Sequence, residues 1–233
     1  GVVWVGVCLC ICSYARKFYL PGSRLFMKKQ KIAKKMLLNA CVTLLKSAYH
    51  HVKALYYAGS RFFCPCCSRS FRAFLAFGVH PRPHALCPYC GSLERHRLLW
   101  LYLRQKTGFF KDQLVVLDIG PMEFFRNACK RMQNLTYVSA DLTDPAADIK
   151  LNVQQLPFAD DSFDSIICYH VLEHVCDDRV ALTELYRVLK PGGWAIIQSP
   201  VEQARAATLE DPSVTSKKER KIVFGQEDHL RIY

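Results

Sequence analysis

From Leu114 to Gln198, short apolar runs alternate with helical stretches, and this alternation restricts the fold more than any other feature of the 233-residue chain. Leu114–Asp118 (LVVLD) and Phe163–Tyr169 (FDSIICY) are almost unbroken apolar runs of strand length, the pattern of strands buried on both faces. Thr136–Ser139, Ile149–Leu151 and Trp194–Gln198 are shorter strand candidates. Helical spacing fits Leu93 to Lys106, Phe124 to Gln133 and Asp178 to Leu189. Strands and helices in this order predict right-handed β-α-β units, hence an α/β domain with one parallel sheet and helices on both faces.

In such a sheet a ligand sits beyond the carboxyl ends of the strands, so the residues just after each strand carry the chemistry. The first strand closes on Asp118-Ile-Gly120. Gly120 permits close backbone approach, and the helix that follows offers free N–H groups. Asp141 follows the second strand and is placed to accept both hydroxyls of a ribose. It lies 23 residues after Asp118, in line with the ~20 between a glycine turn and a ribose-binding acid.

Three linked motifs follow in order: Leu156-Pro157-Phe158-Ala159-Asp160-Asp161-Ser162-Phe163-Asp164, then His170-Val171-Leu172-Glu173-His174, then Arg187-Val188-Leu189-Lys190-Pro191-Gly192-Gly193. With them the chain resembles the class I S-adenosylmethionine-dependent methyltransferases of the ubiquinone-biosynthesis type (methyltransferase type 11) over about residues 112–201. The resemblance implies a Rossmann-like sheet and S-adenosylmethionine as cofactor. Asp118 and Gly120 would flank its methionine part, Asp141 its ribose, and Asn152 with Val153 its adenine. His170 would stand at the cofactor's edge as the first candidate general base, ahead of His174 and His229. Leu156 and Phe158 read as core, Lys190–Gly193 as chiefly a turn, and Glu173 as a cap or pairing partner. Two positions depart from the family pattern: the cofactor loop has one glycine where two or three are usual, and Asn152 stands where an Asp is common. The family's closing antiparallel hairpin is also missing, so the C-terminal strands read as truncated.

Cys64-Pro65-Cys66-Cys67 and Cys87-Pro88-Tyr89-Cys90 form a Cys-x2-Cys, x19, Cys-x2-Cys arrangement. That spacing points to a structural zinc held by Cys64, Cys67, Cys87 and Cys90, with Cys66 as a spare. A closed four-thiolate site would fold its segment and perform no chemistry. Clustered cysteine pairs favour metal thiolates over disulfides and so an intracellular, cytoplasmic protein. The stretch from the second pair through Gly91–Arg97 (GSLERHR) is similar to an uncharacterised bacterial branch of the same methyltransferases that carries paired cysteines. The loop-rich stretch from Gly59 to Ser92 should hold little regular structure.

Charge divides the chain unevenly. Residues 1–93 hold 14 of the 32 Lys and Arg and no acid, so residues 94–233 carry the other 18 against all 20 acids. The basicity belongs to the N-terminal part, where apolar residues from Ile32 to Leu55 recur at helical spacing between Met27 and Tyr57 and lysines fill the opposite face. Such a helix suits contact with RNA or an anionic membrane surface. The apolar run Val2 to Cys12 is shorter than the ~20 residues a bilayer requires. Three segments follow: 1–58, a hydrophobic leader and basic helix; 59–92, a zinc-binding segment; and 93–233, the methyltransferase-like domain. The functional expectation is methyl transfer to a small-molecule acceptor (a sugar, lipid or other metabolite). Two alternatives stand beside it: an RNA methyltransferase holding RNA on its basic zinc segment, and a non-catalytic zinc and nucleic-acid binding protein with a decayed cofactor site.

Overall fold

A computed structural model describes residues 41–42, 44–45, 48–78 and 81–233. The run Val2 to Cys12 and most of the basic helix expected from Met27 to Tyr57 lie outside the described residues. Contact density separates two compact units, one reaching Phe63 and including Arg69–Tyr89, the other combining Cys64–Ser68 with Cys90–Tyr233. No helix among the described residues is long and apolar enough to cross a membrane.

In the first unit residues 48–56 are helical. Strands β1 (Ala58–Cys64) and β2 (Arg69–Phe71) pair, as do β3 (Leu75–Phe77) and β4 (Arg82–Leu86), the latter antiparallel. The expectation of sparse regular structure from Gly59 to Ser92 is therefore corrected. An aromatic cluster organises these strands: Phe74 lies 5.4 Å from Phe62 and 5.9 Å from Phe71, and His84 stacks on Phe62 at 4.6 Å. At Gly59 the chain just after β2 comes so close that a Cβ would sit 2.7 Å from the Arg72 backbone nitrogen, a gap only glycine leaves.

The second unit runs α1 (Glu94–Lys106), β5 (Leu114–Ile119), α2 (Glu123–Cys129), β6 (Leu135–Asp141), β7 (Ile149–Lys150), β8 (Phe163–Tyr169), α3 (Asp178–Val188) and β9 (Leu189–Gln198). Its sheet has the order β7-β6-β5-β8-β9, every pair parallel. Alternation along the strands sorts the core into two layers. Leu117, Ile119, Ile166 and Cys168 face Ala181, Leu185 and Val188 of α3. Val116, Ile167 and Tyr169 face Leu99, Trp100 and Leu103 of α1 with Phe125 and Cys129 of α2. Helices therefore cover both faces, as the buried apolar runs required. Asp177 caps α3 by accepting from the backbone N–H of Arg179 and of Val180, both at 3.0 Å.

Lys190–Gly193, expected as a turn before the last strand, lies inside β9. Phe163 pairs with Leu189 and Ser165 with Trp194, so two steps along β8 span five along β9 and the Pro-Gly-Gly segment bulges within the strand. Beyond the sheet come β10 (Leu209–Glu210), α4 (Lys217–Val223) and β11 (Arg231–Ile232), with β10 and β11 antiparallel. Neither of these two strands is announced by an apolar run in the sequence.

Candidate functional site

The chain leaves β5 toward β6 and β7, then returns to the other side of β5 to form β8. The order therefore reverses between β5 and β8, and a cavity of about 550 Å³ opens there at the carboxyl ends of the strands. Gly120, Asp141, Asn152, Val153, His170 and His174 all line it. A volume in this range fits a small-molecule or cofactor site.

Each lining residue is held by a specific device. Gly120 has φ +71°, and a Cβ there would meet the Tyr169 carbonyl oxygen at 2.9 Å and Val171 Cγ2 at 2.8 Å. Its N–H donates to the Ala140 carbonyl at 3.0 Å, locking the turn to the neighbouring strand. Asp141 closes an Asx turn: its Oδ1 accepts from the Thr143 N–H at 2.6 Å, the Thr143 hydroxyl at 3.1 Å and the Asp144 N–H at 2.8 Å. Those bonds fix the carboxylate, and its Oδ2 carries none among the described residues. Asn152 accepts from the Gln154 N–H at 3.0 Å through its side-chain oxygen, which leaves its amide hydrogens to a ligand. Val153 is a core residue with one face on the cavity.

His170 adopts φ +56°, a conformation that costs a non-glycine residue about 1–3 kcal/mol and collects at functional sites. Its Nδ1 lies 2.9 Å from Glu173 Oε1, and the Ser199 hydroxyl donates to Glu173 Oε2 at 3.1 Å. Burial pushes Glu173 up, but the bond from His170 and one to its own backbone outweigh burial and hold it below the usual carboxylate range. An ionised Glu173 keeps the proton on His170 Nδ1. Nε2 is then the basic nitrogen, and it is buried without a partner among the described residues.

Asp118 is not among the lining residues. It shares a strand face with Val116, is fully buried, and accepts from the Tyr137 hydroxyl on one oxygen, while its Oδ1 has no partner among the described residues. Desolvation pushes it up to about 7, against the opposing effects of Tyr137 and the Arg126 charge. The Leu156–Phe158 motif supports the site from below: Leu156 is core, its N–H donates to Glu184 at 2.8 Å, and Arg187 donates to the Leu156 and Phe158 carbonyls at 3.1 and 2.8 Å. Sequence reasoning missed the loop Leu142–Asp144, which wraps Asp141 and lines the cavity. Its signal was the Asp-x-Thr of an Asx turn.

The cysteine pairs converge as their spacing requires. The sulfurs of Cys64, Cys67, Cys87 and Cys90 all lie within 4.8 Å of one another, and Cys64 Sγ is 3.7 Å from Cys90 Sγ. An ion about 2.3 Å from each of four tetrahedral sulfurs would separate them by about 3.8 Å, so the donor set fits zinc. The buried Ser92 hydroxyl stands 3.3 Å from Cys64 Sγ and 3.2 Å from Cys90 Sγ, in position to bond a thiolate. Cys66, beside the four, donates to the His96 carbonyl at 3.9 Å. A hydrogen bond to Cys64, burial, and charge on Cys64 and Cys90 push its thiol far up, so it stays protonated.

Residues 101–197 match the family described as "Methyltransferase domain". The ubiquinone/menaquinone biosynthesis C-methyltransferase UbiE of Haemophilus ducreyi is 43% identical over 138 residues, covering 53% of this chain and 49% of its own. A demethylmenaquinone methyltransferase of Tropheryma whipplei is 36% identical over 83 residues, 35% of this chain and 30% of its own. The chain thus spans half or less of the length of these relatives. A solved S-adenosylmethionine-dependent methyltransferase from Aquifex aeolicus aligns over 50% of this chain and 72% of its own, at 19% identity and a TM-score of 0.35.

Proposed function

We propose that the chain, whose residues 101–197 match the methyltransferase-domain family, is a class I S-adenosylmethionine-dependent methyltransferase that transfers a methyl group to a small-molecule acceptor of sugar, lipid or other metabolite type. The observation that carries this reading is the convergence of Asp141, Asn152, Val153, Gly120 and His170 on one cavity at the switch point of the sheet. One aligned relative is named for demethylmenaquinone and another for ubiquinone/menaquinone biosynthesis, small molecules within the acceptor class proposed here.

S-adenosylmethionine, when bound, supplies an electrophilic methyl group on a sulfonium. Asp141 offers Oδ2 to the ribose hydroxyls, since its Oδ1 is committed to the Thr143 loop. Asn152 and Val153 meet the adenine, one through its free amide hydrogens and the other through apolar contact. Gly120 lets the backbone approach the methionine part. His170 takes the acceptor's proton on Nε2, with Glu173 holding Nδ1–H and steadying the charged ring. Most of the rate then comes from holding the acceptor in line with the methyl group. Zinc on Cys64, Cys67, Cys87 and Cys90 serves structure alone.

A second reading, with RNA as acceptor, draws on the described arginines of the acid-free segment. Arg69 lies 3.8 Å over the Tyr89 ring and Arg72 4.7 Å over that of Tyr56, planar pairs suited to stacking on bases.

Calorimetric titration of the zinc-loaded chain with S-adenosylmethionine and S-adenosylhomocysteine tests the cofactor assignment. Asp141→Ala removes charge-assisted bonds worth about 1.5–3 kcal/mol, a roughly ten- to hundredfold loss of affinity. Absence of binding by the unaltered chain, or binding untouched by Asp141→Ala, would overturn it. RNA affinity that falls steeply with salt would favour the second acceptor class.

A further inference from the structure

The geometry points to a second metal site, distinct from the four cysteines, in which Glu173, His174 and His229 hold a divalent cation of the zinc class; we propose it independently of the methyl-transfer reading. One ligand atom from each of these residues lies within 4.8 Å of the other two. A carboxylate with two imidazoles is the donor set of open, three-ligand zinc sites.

Bonds to the backbone of one turn bring these groups together. Glu173 and His174 sit on the 3-10 turn Leu172–His174, and His229 arrives from the segment just before β11. The Leu230 N–H donates to the Glu173 carbonyl at 2.8 Å. Arg231 then clamps the turn through the carbonyls of Leu172, Val175 and Cys176 at 2.6, 2.7 and 3.0 Å. Each histidine also has one nitrogen occupied by a backbone carbonyl. His174 Nδ1 lies 3.1 Å from the Asp228 oxygen, and His229 bonds the Phe224 carbonyl. A donated N–H fixes the tautomer and leaves the other ring nitrogen with its lone pair, the second-shell pattern of metal-bound histidines.

Charge points the same way. The Glu173 side chain is 1% exposed, yet among the described residues its side-chain partners are His170 and Ser199, with no Arg or Lys. The Asp228 carboxylate adds a second negative group 3.5 Å from His174. A buried carboxylate without a fixed cation is costly, and a divalent ion would compensate it. His174 and Asp228 line the cofactor cavity, so the open coordination position would face that cavity and take a water or a ligand oxygen.

The test uses the full chain, stripped of metal and reloaded with zinc, with zinc per chain measured by mass spectrometry beside His174→Ala. His174 keeps a third of its side-chain surface in solvent, so its loss should leave the fold intact. The expected result is one zinc fewer per chain in the variant, whatever the cysteines hold. Cobalt titration of the unaltered chain gives a second readout that needs no variant. Thiolate-to-cobalt charge-transfer bands should be joined by weaker nitrogen and oxygen ligand-field bands, and only the latter should vanish in His174→Ala. Equal zinc in both proteins, or a cobalt spectrum carrying thiolate bands alone, would reduce the cluster to a hydrogen-bonded network and overturn the proposal.

Discussion

Asp118 shows how one buried side chain ties the site to the fold. With its folded value raised to about 7 by desolvation, the native protein keeps a proton that the unfolded chain releases near pH 4. Native protein therefore binds more protons between about pH 4 and 7, and stability falls as pH rises through that window by about 1.4 kcal/mol per unit, on the order of 4 kcal/mol in all. His96 acts in the opposite sense. Burial, more than the nearby Arg95 and His170, lowers it to about 4, so its contribution is full above about pH 6.5 and is lost as pH falls toward 4. The two largely mask each other in the unaltered chain. Asp118→Asn removes only the first, and urea titrations at about pH 4 and 7 should show the variant gaining several kcal/mol on the parent at the higher pH. A difference that does not change with pH would mean that Asp118 stays ionised in the fold. The sequence marked Asp118 as a strand-end residue, and the alternation Val116, Asp118 against Leu117, Ile119 already implied its direction, but only packing against Tyr137 and α2 makes the burial complete. His170 was equally legible as a position, whereas its φ of +56° and its bond to Glu173 come from the tertiary path of the turn.

At the level of elements, the long buried strands could be read directly because continuous apolar runs need burial on both faces. β5 and β8 lie within a residue of their expected bounds. The short strands could not. β2 (Arg-Ser-Phe) and β4 (Arg-Pro-His-Ala-Leu) carry Pro and Arg, and their pairing rests on a few aromatic contacts made far along the chain. β10 and β11 pair at only two positions, and what holds them is Arg231, whose side chain is 4% exposed and ion-paired with Glu210. Replacing it with Met would keep the bulk but leave the carbonyls of Leu172, Val175 and Cys176 without their donor. Each carbonyl left unpaired away from water costs about 1–3 kcal/mol, whereas the half-exposed Glu210 regains water. Chemical denaturation of Arg231→Met should show a loss of that size. A loss below ~1 kcal/mol would mean that the C-terminal segment is not anchored through this side chain.

Across the whole molecule the two units draw on different sources of stability. The parallel sheet has two apolar layers of its own, each with at least one helix packed on it. The β1–β4 segment has a handful of aromatic residues and two-stranded sheets, and pieces of about 40 residues or fewer usually need a metal or disulfides to fold. Its charge adds to the burden, since no acidic residue precedes Glu94 to offset Arg61, Arg69, Arg72 and Arg82. Four thiolates on a structural zinc contribute about 10–16 kcal/mol in small domains, enough to decide whether such a segment is folded. Stripping the metal with a chelator and a thiol reagent should therefore open trypsin sites at Arg61, Arg69 and Arg72, while the core of residues 114–198 resists. Added zinc should close them again after the reagent is removed. Identical cleavage with and without metal would show that the aromatic cluster of Phe62, Phe71 and Phe74 suffices. In that case the cysteine spacing, however well it matches a tetrahedral ion, would not be what folds this part of the chain.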